Sequence, residues 1–160
     1  MMRAYRTLLW GVAFFALQAC NPAPEPLVRG RHVAIFPPQV QAENGSVLQV
    51  KLPVQVERGY HIQSNPASEK FYLPASLTVN PDNLKVGSIA YPAGRPYHLE
   101  GSDRALSVYD GTVVVEFEID LRQSNTAGEP AFPGKFSYQA CDHKTCFPPD
   151  TLAFTLQMEN

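Results

Sequence analysis

Four stretches of this chain alternate apolar and polar residues with a period of two. In Val50–Glu57, Val50, Leu52, Val54 and Val56 share one side; in Thr112–Asp120, Val113, Val115, Phe117 and Ile119 do the same. Shorter versions run through Phe136 and Tyr138, and through Leu152, Phe154 and Leu156. This is the repeat of a strand with one buried face, because successive side chains point to opposite sides of the pleat. A helix would bring its apolar residues back every three or four positions, and no window of helical length does so. The 15 prolines reinforce the exclusion, since each removes a backbone donor and breaks a helix interior. Pro53 falls on the polar side of its stretch and predicts an edge strand or a bulge.

Weaker strand signals cover His32–Phe36, Ser76–Val79 and Val86–Ala90. Turn signals at Asn44-Gly45, Arg58-Gly59, Asn80-Pro81-Asp82, Asp110-Gly111 and Pro133-Gly134 separate the stretches. A length of 160 residues suits a single domain. Short strands with frequent turns at this length predict an all-β fold, an immunoglobulin-like β-sandwich. The formal charge of −2, with no basic run, argues against a nucleic-acid partner.

The N-terminus carries Arg3 and Arg6, then the ten-residue apolar run Leu8 to Leu17. Such a run is shorter than the roughly 20 residues of a membrane span and fits a signal-peptide core. Leu17-Gln18-Ala19-Cys20 resembles the bacterial lipobox. The resemblance implies a lipoprotein signal peptide over residues 1–19 and a lipid anchor on Cys20; ordinary cleavage nearby would leave Cys20 free. Pro22, Pro24 and Pro26 then alternate with other residues, predicting an extended tether over residues 20–31 before the domain at 32–160. A secreted chain of this kind faces the periplasm, where disulfides form.

Of three cysteines, two remain in the domain, Cys141 and Cys146, separated by Asp142-His143-Lys144-Thr145. Three readings compete. A structural disulfide would close a loop of only six residues, a stabilisation of about 2.2 kcal/mol by chain entropy. A metal site on Cys141, His143 and Cys146 lacks the paired ligand spacing of zinc modules. A redox-active dithiol is favoured by His143 and Lys144, whose positive charge promotes the thiolate, while Asp142 opposes it. No cofactor is expected, and no paired carboxylates or nucleophile–base constellation suggests a hydrolase.

Tyr138-Gln139-Ala140-Cys141 and Cys146-Phe147-Pro148-Pro149 resemble the Tyr-Gln-(Gly/Ala)-Cys and Cys-(aromatic/aliphatic)-Pro-Pro signature of the N-terminal periplasmic domain family of the thiol:disulfide interchange protein DsbD. Gly59-Tyr60-His61-Ile62 with Asn65-Pro66, Tyr91-Pro92, Leu99-Glu100-Gly101 and Ser107-Val108-Tyr109-Asp110-Gly111 resemble further blocks of it. The resemblance spans about Val33 to Leu156 and implies an immunoglobulin-like domain whose cysteine pair alternates between dithiol and disulfide. It implies electrons arriving from a thioredoxin-like or DsbD-type membrane donor and leaving to oxidised periplasmic thiol proteins. The activity would be that of a protein-disulfide reductase component, with Cys141 and Cys146 as the exchanging pair. It also implies a shielding loop over the pair, here Pro96–Gly101 with Tyr97, His98 and Leu99. His61 and His143 are the candidates for proton transfer during exchange. The four-residue linker is one shorter than in some members. Full-length members continue into membrane and thioredoxin domains, so with the sequence ending at Asn160 a separate reductant is expected. The rival reading is a non-catalytic binding or assembly lipoprotein with a structural disulfide.

Overall fold

The computed structural model describes residues 24–43, 46–79, 85–99, 103–123 and 131–157; the expected signal peptide and Cys20 lie outside them. Thirteen strands occur in the described residues: β1 Val28–Arg29, β2 Val33–Ile35, β3 Gln39–Glu43, β4 Val47–Val56, β5 His61–Gln63, β6 Ser76–Val79, β7 Lys85–Val86, β8 Arg95–His98, β9 Ala105–Tyr109, β10 Thr112–Asp120, β11 Ala131–Tyr138, β12 Ala140–Cys141 and β13 Asp150–Gln157. The one helical element among them is a 3-10 turn, Leu121–Gln123. The fold is all-β, an immunoglobulin-like β-sandwich.

Three sheets make up the molecule: β1-β2-β4-β10-β7 with β3 also on β4; β13-β11-β6; and β12-β5-β9-β8. Every pairing is antiparallel. The alternating stretches supply the core. Val50, Leu52, Val54 and Val56 of β4 and Val113, Val115, Phe117 and Ile119 of β10 join Phe132, Phe136, Leu152, Phe154 and Leu156 of β11 and β13 in one buried cluster. Their polar neighbours reach solvent, the ordinary arrangement of an antiparallel sheet with one wet face.

Pro53 departs from the expectation of an edge strand, because β4 pairs with β10 over residues 47–55, Val114 lying opposite Pro53. On its other flank β4 meets two short strands, β3 against residues 47–51 and β2 against residues 54–56. Pro53 stands at the junction, where its carbonyl accepts from Phe36 N–H at 3.0 Å and no ladder donor is missed. Pro133-Gly134, expected as a turn, lies inside β11. A Cβ at Gly134 would come within 2.5 Å of the Phe154 ring, so the ring occupies the space that any side chain would need.

Two glycines carry the chain between the large sheet and the four-stranded one. Gly59, with φ 91°, lies between β4 and β5, and Gly111, with φ 61°, between β9 and β10. Left-handed backbone of this kind is open to glycine without steric cost. The end of the expected tether is part of the fold: β1 pairs with β2, and Arg31 N–H reaches Asp150 Oδ2 at 3.2 Å. Among the described residues no helix is long and apolar enough to cross a membrane.

Candidate functional site

The four-stranded sheet ends in a hairpin that carries both cysteines. Cys141 closes β12, Cys146 bridges back to it, and their sulfurs are bonded at 2.03 Å with Cα atoms 4.0 Å apart. Backbone bonds hold the hairpin on either side of the disulfide. Asp142 N–H donates to Thr145 carbonyl at 2.9 Å, and Phe147 N–H to Ala140 carbonyl at 2.8 Å. Inside the loop, Asp142 Oδ1 accepts from Lys144 N–H at 2.7 Å and Thr145 N–H at 2.6 Å. This is the Asx-type capping that aspartate provides in tight turns. Those backbone donors, Lys144 first, hold the Asp142 carboxyl below its usual range. Gln139 Nε2 adds a bond to Phe147 carbonyl at 3.0 Å.

The two cysteines differ in access. Cys141 is 1% exposed and Cys146 is exposed, as are His143, Lys144 and Thr145. Of the two, Cys146 is therefore the one open to an approaching molecule. With the sulfurs joined, neither thiolate is available to a metal in this form, and the described residues contain no cluster of three metal-ligating side chains.

Behind the hairpin lies β5, where His61 stands directly opposite Cys141 in the antiparallel register and Ile62 opposite Ala140. Directly opposed residues have Cβ atoms about 4.5–5.5 Å apart on one face of the sheet. His61 is 3% exposed and Gln63 fully buried, and alternation puts both on the same face of β5. The Tyr97 ring packs on the His61 imidazole with centroids 4.1 Å apart. Burial and the nearby Arg95 guanidinium lower the His61 pKa from 6.5, while Asp142 pulls it the other way. Arg95 is itself paired with Asp110. The Tyr109 hydroxyl donates to Pro92 carbonyl at 2.8 Å and accepts from Asn65 N–H at 3.1 Å, pinning loops next to β5 and β8.

On the other flank of the hairpin an aromatic group forms around Phe147. His32 stacks on Tyr60 at 3.5 Å and 9°, and Phe147 lies tilted 5.2 Å from His32. His32 Nδ1 contacts Glu57 Oε2 at 2.7 Å. The Arg31 guanidinium sits 5.7 Å from the Phe147 ring centre, within cation–π range. Below it the buried Tyr138 hydroxyl is 3.0 Å from Asp150 Oδ2 and 3.1 Å from Arg31 carbonyl. Burial, then Asp150, push the Tyr138 phenol up; the Arg31 N–H holds the Asp150 carboxyl down.

The residues singled out in the sequence thus fall into three groups. Cys141, Cys146 and His61 come together, with Tyr97 over His61. His143 projects into solvent on the loop between the cysteines. Tyr97 and His98 belong to β8, Tyr97 half-buried and His98 exposed; Leu99 follows half-buried, and residues 100–102 lie outside the described residues. Gln63, Arg95 and the His32–Tyr60–Phe147 group carried no signal strong enough to single out. Gln63 could have been found as the residue two beyond His61, on the same face of any strand through that segment.

Comparison with known proteins places this geometry in a family. The family model described as thiol:disulfide interchange protein DsbD, N-terminal, matches residues 31–158. Comparison with curated proteins gives no match. Among solved structures, the N-terminal periplasmic domain of ScsB from Proteus mirabilis superposes with a TM-score of 0.57 at 14% identity, covering 79% of this chain and 47% of that one. This chain therefore spans about half of that structure, and at such identity the likeness speaks for the fold. The reduced DsbD N-terminal domain of Neisseria meningitidis gives a TM-score of 0.44 at 15% identity, with 77% and 85% of the two chains covered. A Neisseria meningitidis complex of the DsbD and PilB N-terminal domains gives 0.45 at 17%, with 74% and 80% covered. With the family match running through both cysteines and nearly all of the described domain, the chain belongs to the DsbD N-terminal domain family.

Proposed function

We propose that this chain is a periplasmic thiol–disulfide exchange domain, relaying electrons through Cys141 and Cys146. The donor is a thioredoxin-like or DsbD-type membrane protein, and the acceptors are oxidised periplasmic thiol proteins. One observation carries the reading: the disulfide joins a buried to an exposed cysteine on a hairpin already closed by backbone bonds and by Asp142. A bond kept only as a staple would add at most about 2 kcal/mol to so short a loop.

In the exchange, a donor thiolate attacks Cys146 Sγ, the Cys141–Cys146 bond breaks, and Cys141 leaves as the thiolate. The donor's second thiol then attacks the mixed disulfide, leaving the domain as a dithiol and the donor oxidised by two electrons. Cys146 in turn attacks a client disulfide, and Cys141 resolves that mixed disulfide and restores the starting bond. Tyr97 and the Leu99 segment form the shield beside the pair, and docking displaces it. Cys20 is the lipid anchor that holds the domain at a bacterial membrane.

The test is the reduction potential of the pair together with partner trapping by a Cys141→Ala variant, which leaves Cys146 holding whatever it attacks. A potential above about −300 mV with a trapped thioredoxin-like protein supports exchange; a lower one with nothing trapped means a structural bond. Palmitate labelling of wild type and Cys20→Ala tests the anchor, and equal labelling removes it.

A further inference from the structure

We propose that His61 is the proton-transfer group for Cys141, housed with Gln63 in a buried polar cell behind the disulfide. The inference deepens the exchange reading and rests on it. Among the described residues, the buried side-chain nitrogen and oxygen atoms without a hydrogen-bond partner are His61 Nε2, Gln63 Nε2 and Gln63 Oε1. All three belong to one face of one three-residue strand, opposite the buried cysteine. Buried polar groups are almost always satisfied, so three orphans in one place ask for a use.

The chemistry of Cys141 supplies one. Its residue is 1% exposed, yet in each half of the exchange its sulfur must pass between thiol and thiolate. Bulk water does not reach it freely, and an isolated buried anion is costly. A neutral imidazole directly across the strand pair can take the proton. Among the described residues two charged groups bear on that role: Arg95 from β8 disfavours a second positive charge and Asp142 on the hairpin favours it, Arg95 being itself paired with Asp110. The sum, with burial, leaves the ring neutral and able to accept. Tyr97 packs against the ring with centroids 4.1 Å apart.

The resolving step then balances. Cys146 carries the client's sulfur in a mixed disulfide. The Cys141 S–H proton passes to the free ring nitrogen of His61, and the Cys141 thiolate attacks Cys146 Sγ. The Cys141–Cys146 bond forms, the bond to the client sulfur breaks, and the client leaves as thiolate. The imidazolium releases its proton to water or to that thiolate. The domain loses two electrons and the client gains them. Gln63, two residues on along the same face, adds an unpartnered amide donor and acceptor to that cell.

The experiment uses the reduced full chain and the small aromatic disulfide dithiobis(nitrobenzoate), so no protein partner is required. The first thionitrobenzoate released reports attack by Cys146, and the second reports resolution by Cys141. His61→Gln is expected to slow the second release by about 100-fold at neutral pH and to leave the first nearly unchanged, the size of a general-base contribution. Gln63→Leu slows the second release less. A second release that is unchanged in His61→Gln overturns the proposal. Should His61→Gln fail to fold, the wild-type pH profile decides. A second release that levels off above an inflection below pH 6.5 supports His61 as the base; one that climbs steadily through the thiol range, as an unassisted thiol does, overturns it. Failure of the exchange reading would appear instead in the absence of a trapped protein partner.

Discussion

In β10 each buried side chain is apolar, Val113, Val115, Phe117 and Ile119, and each charged one reaches solvent or its rim. In β5 all three residues are buried and two of them, His61 and Gln63, are polar. The first strand lies between β4 and β7 in the large sheet, fully paired with β4; the second lies beside the cysteine hairpin. The contrast separates two tasks. The large sheet and β11–β13 supply the apolar burial that folds the chain, and the four-stranded sheet holds polar groups that burial alone would reject.

Four experiments can break or sharpen that separation. Phe117→Ala removes a core ring that is 2% exposed, and should lower the unfolding free energy by about 3–5 kcal/mol in denaturant titration. The folded fraction should still exchange thiols at the wild-type rate; a slowed exchange would join the two regions. Replacing both Cys141 and Cys146 with alanine should abolish exchange while lowering stability by no more than about 2 kcal/mol. A larger loss would make the hairpin part of the folding core. Gln63→Leu replaces two unpartnered amide atoms with a hydrocarbon of similar size, and should raise stability by about 1 kcal/mol. A destabilised variant would mean that the amide is satisfied.

The fourth is a pH dependence. The folded-state pKa of His61 lies below its ordinary 6.5, so in the window between the two values the unfolded chain binds a proton that the folded chain does not. Stability therefore falls as pH drops from 6.5 toward the folded value, and levels off below it. His61→Gln should flatten that part of the stability curve, measured by denaturant midpoints at each pH. An unaltered slope would place the titration elsewhere.

Much of the sandwich was legible because its long strands are half-wet, and a half-wet strand writes its register into the sequence as alternation. The cysteine pair and His61 were legible from residue type and motif. What stayed hidden depends on cross-strand neighbours. Pro133-Gly134 has the local chemistry of a turn, yet Gly134 lies within β11 because the Phe154 ring fills the space above it. Pro53 correctly signals a missing donor, but the gap that tolerates it arises where β2 and β3 meet along β4. Gln63, Arg95 and the stack of His32 on Tyr60 become site residues only once β5, β8 and the Arg31 turn are folded beside the hairpin. Strands of two to four residues, such as β5, β8 and β12, are too short for alternation to announce them.

The hairpin's own clamps have a kinetic consequence. Asp142 and the two backbone bonds close the loop without using the sulfurs, so on the proposed exchange a hairpin held this way would keep one outline in both redox forms. Under that proposal, a partner that docks by outline would not distinguish reduced from oxidised copies before the chemistry begins. The two forms would then compete for the same berth, and throughput would be greatest at an intermediate ratio of reduced to oxidised domain, falling when either accumulates.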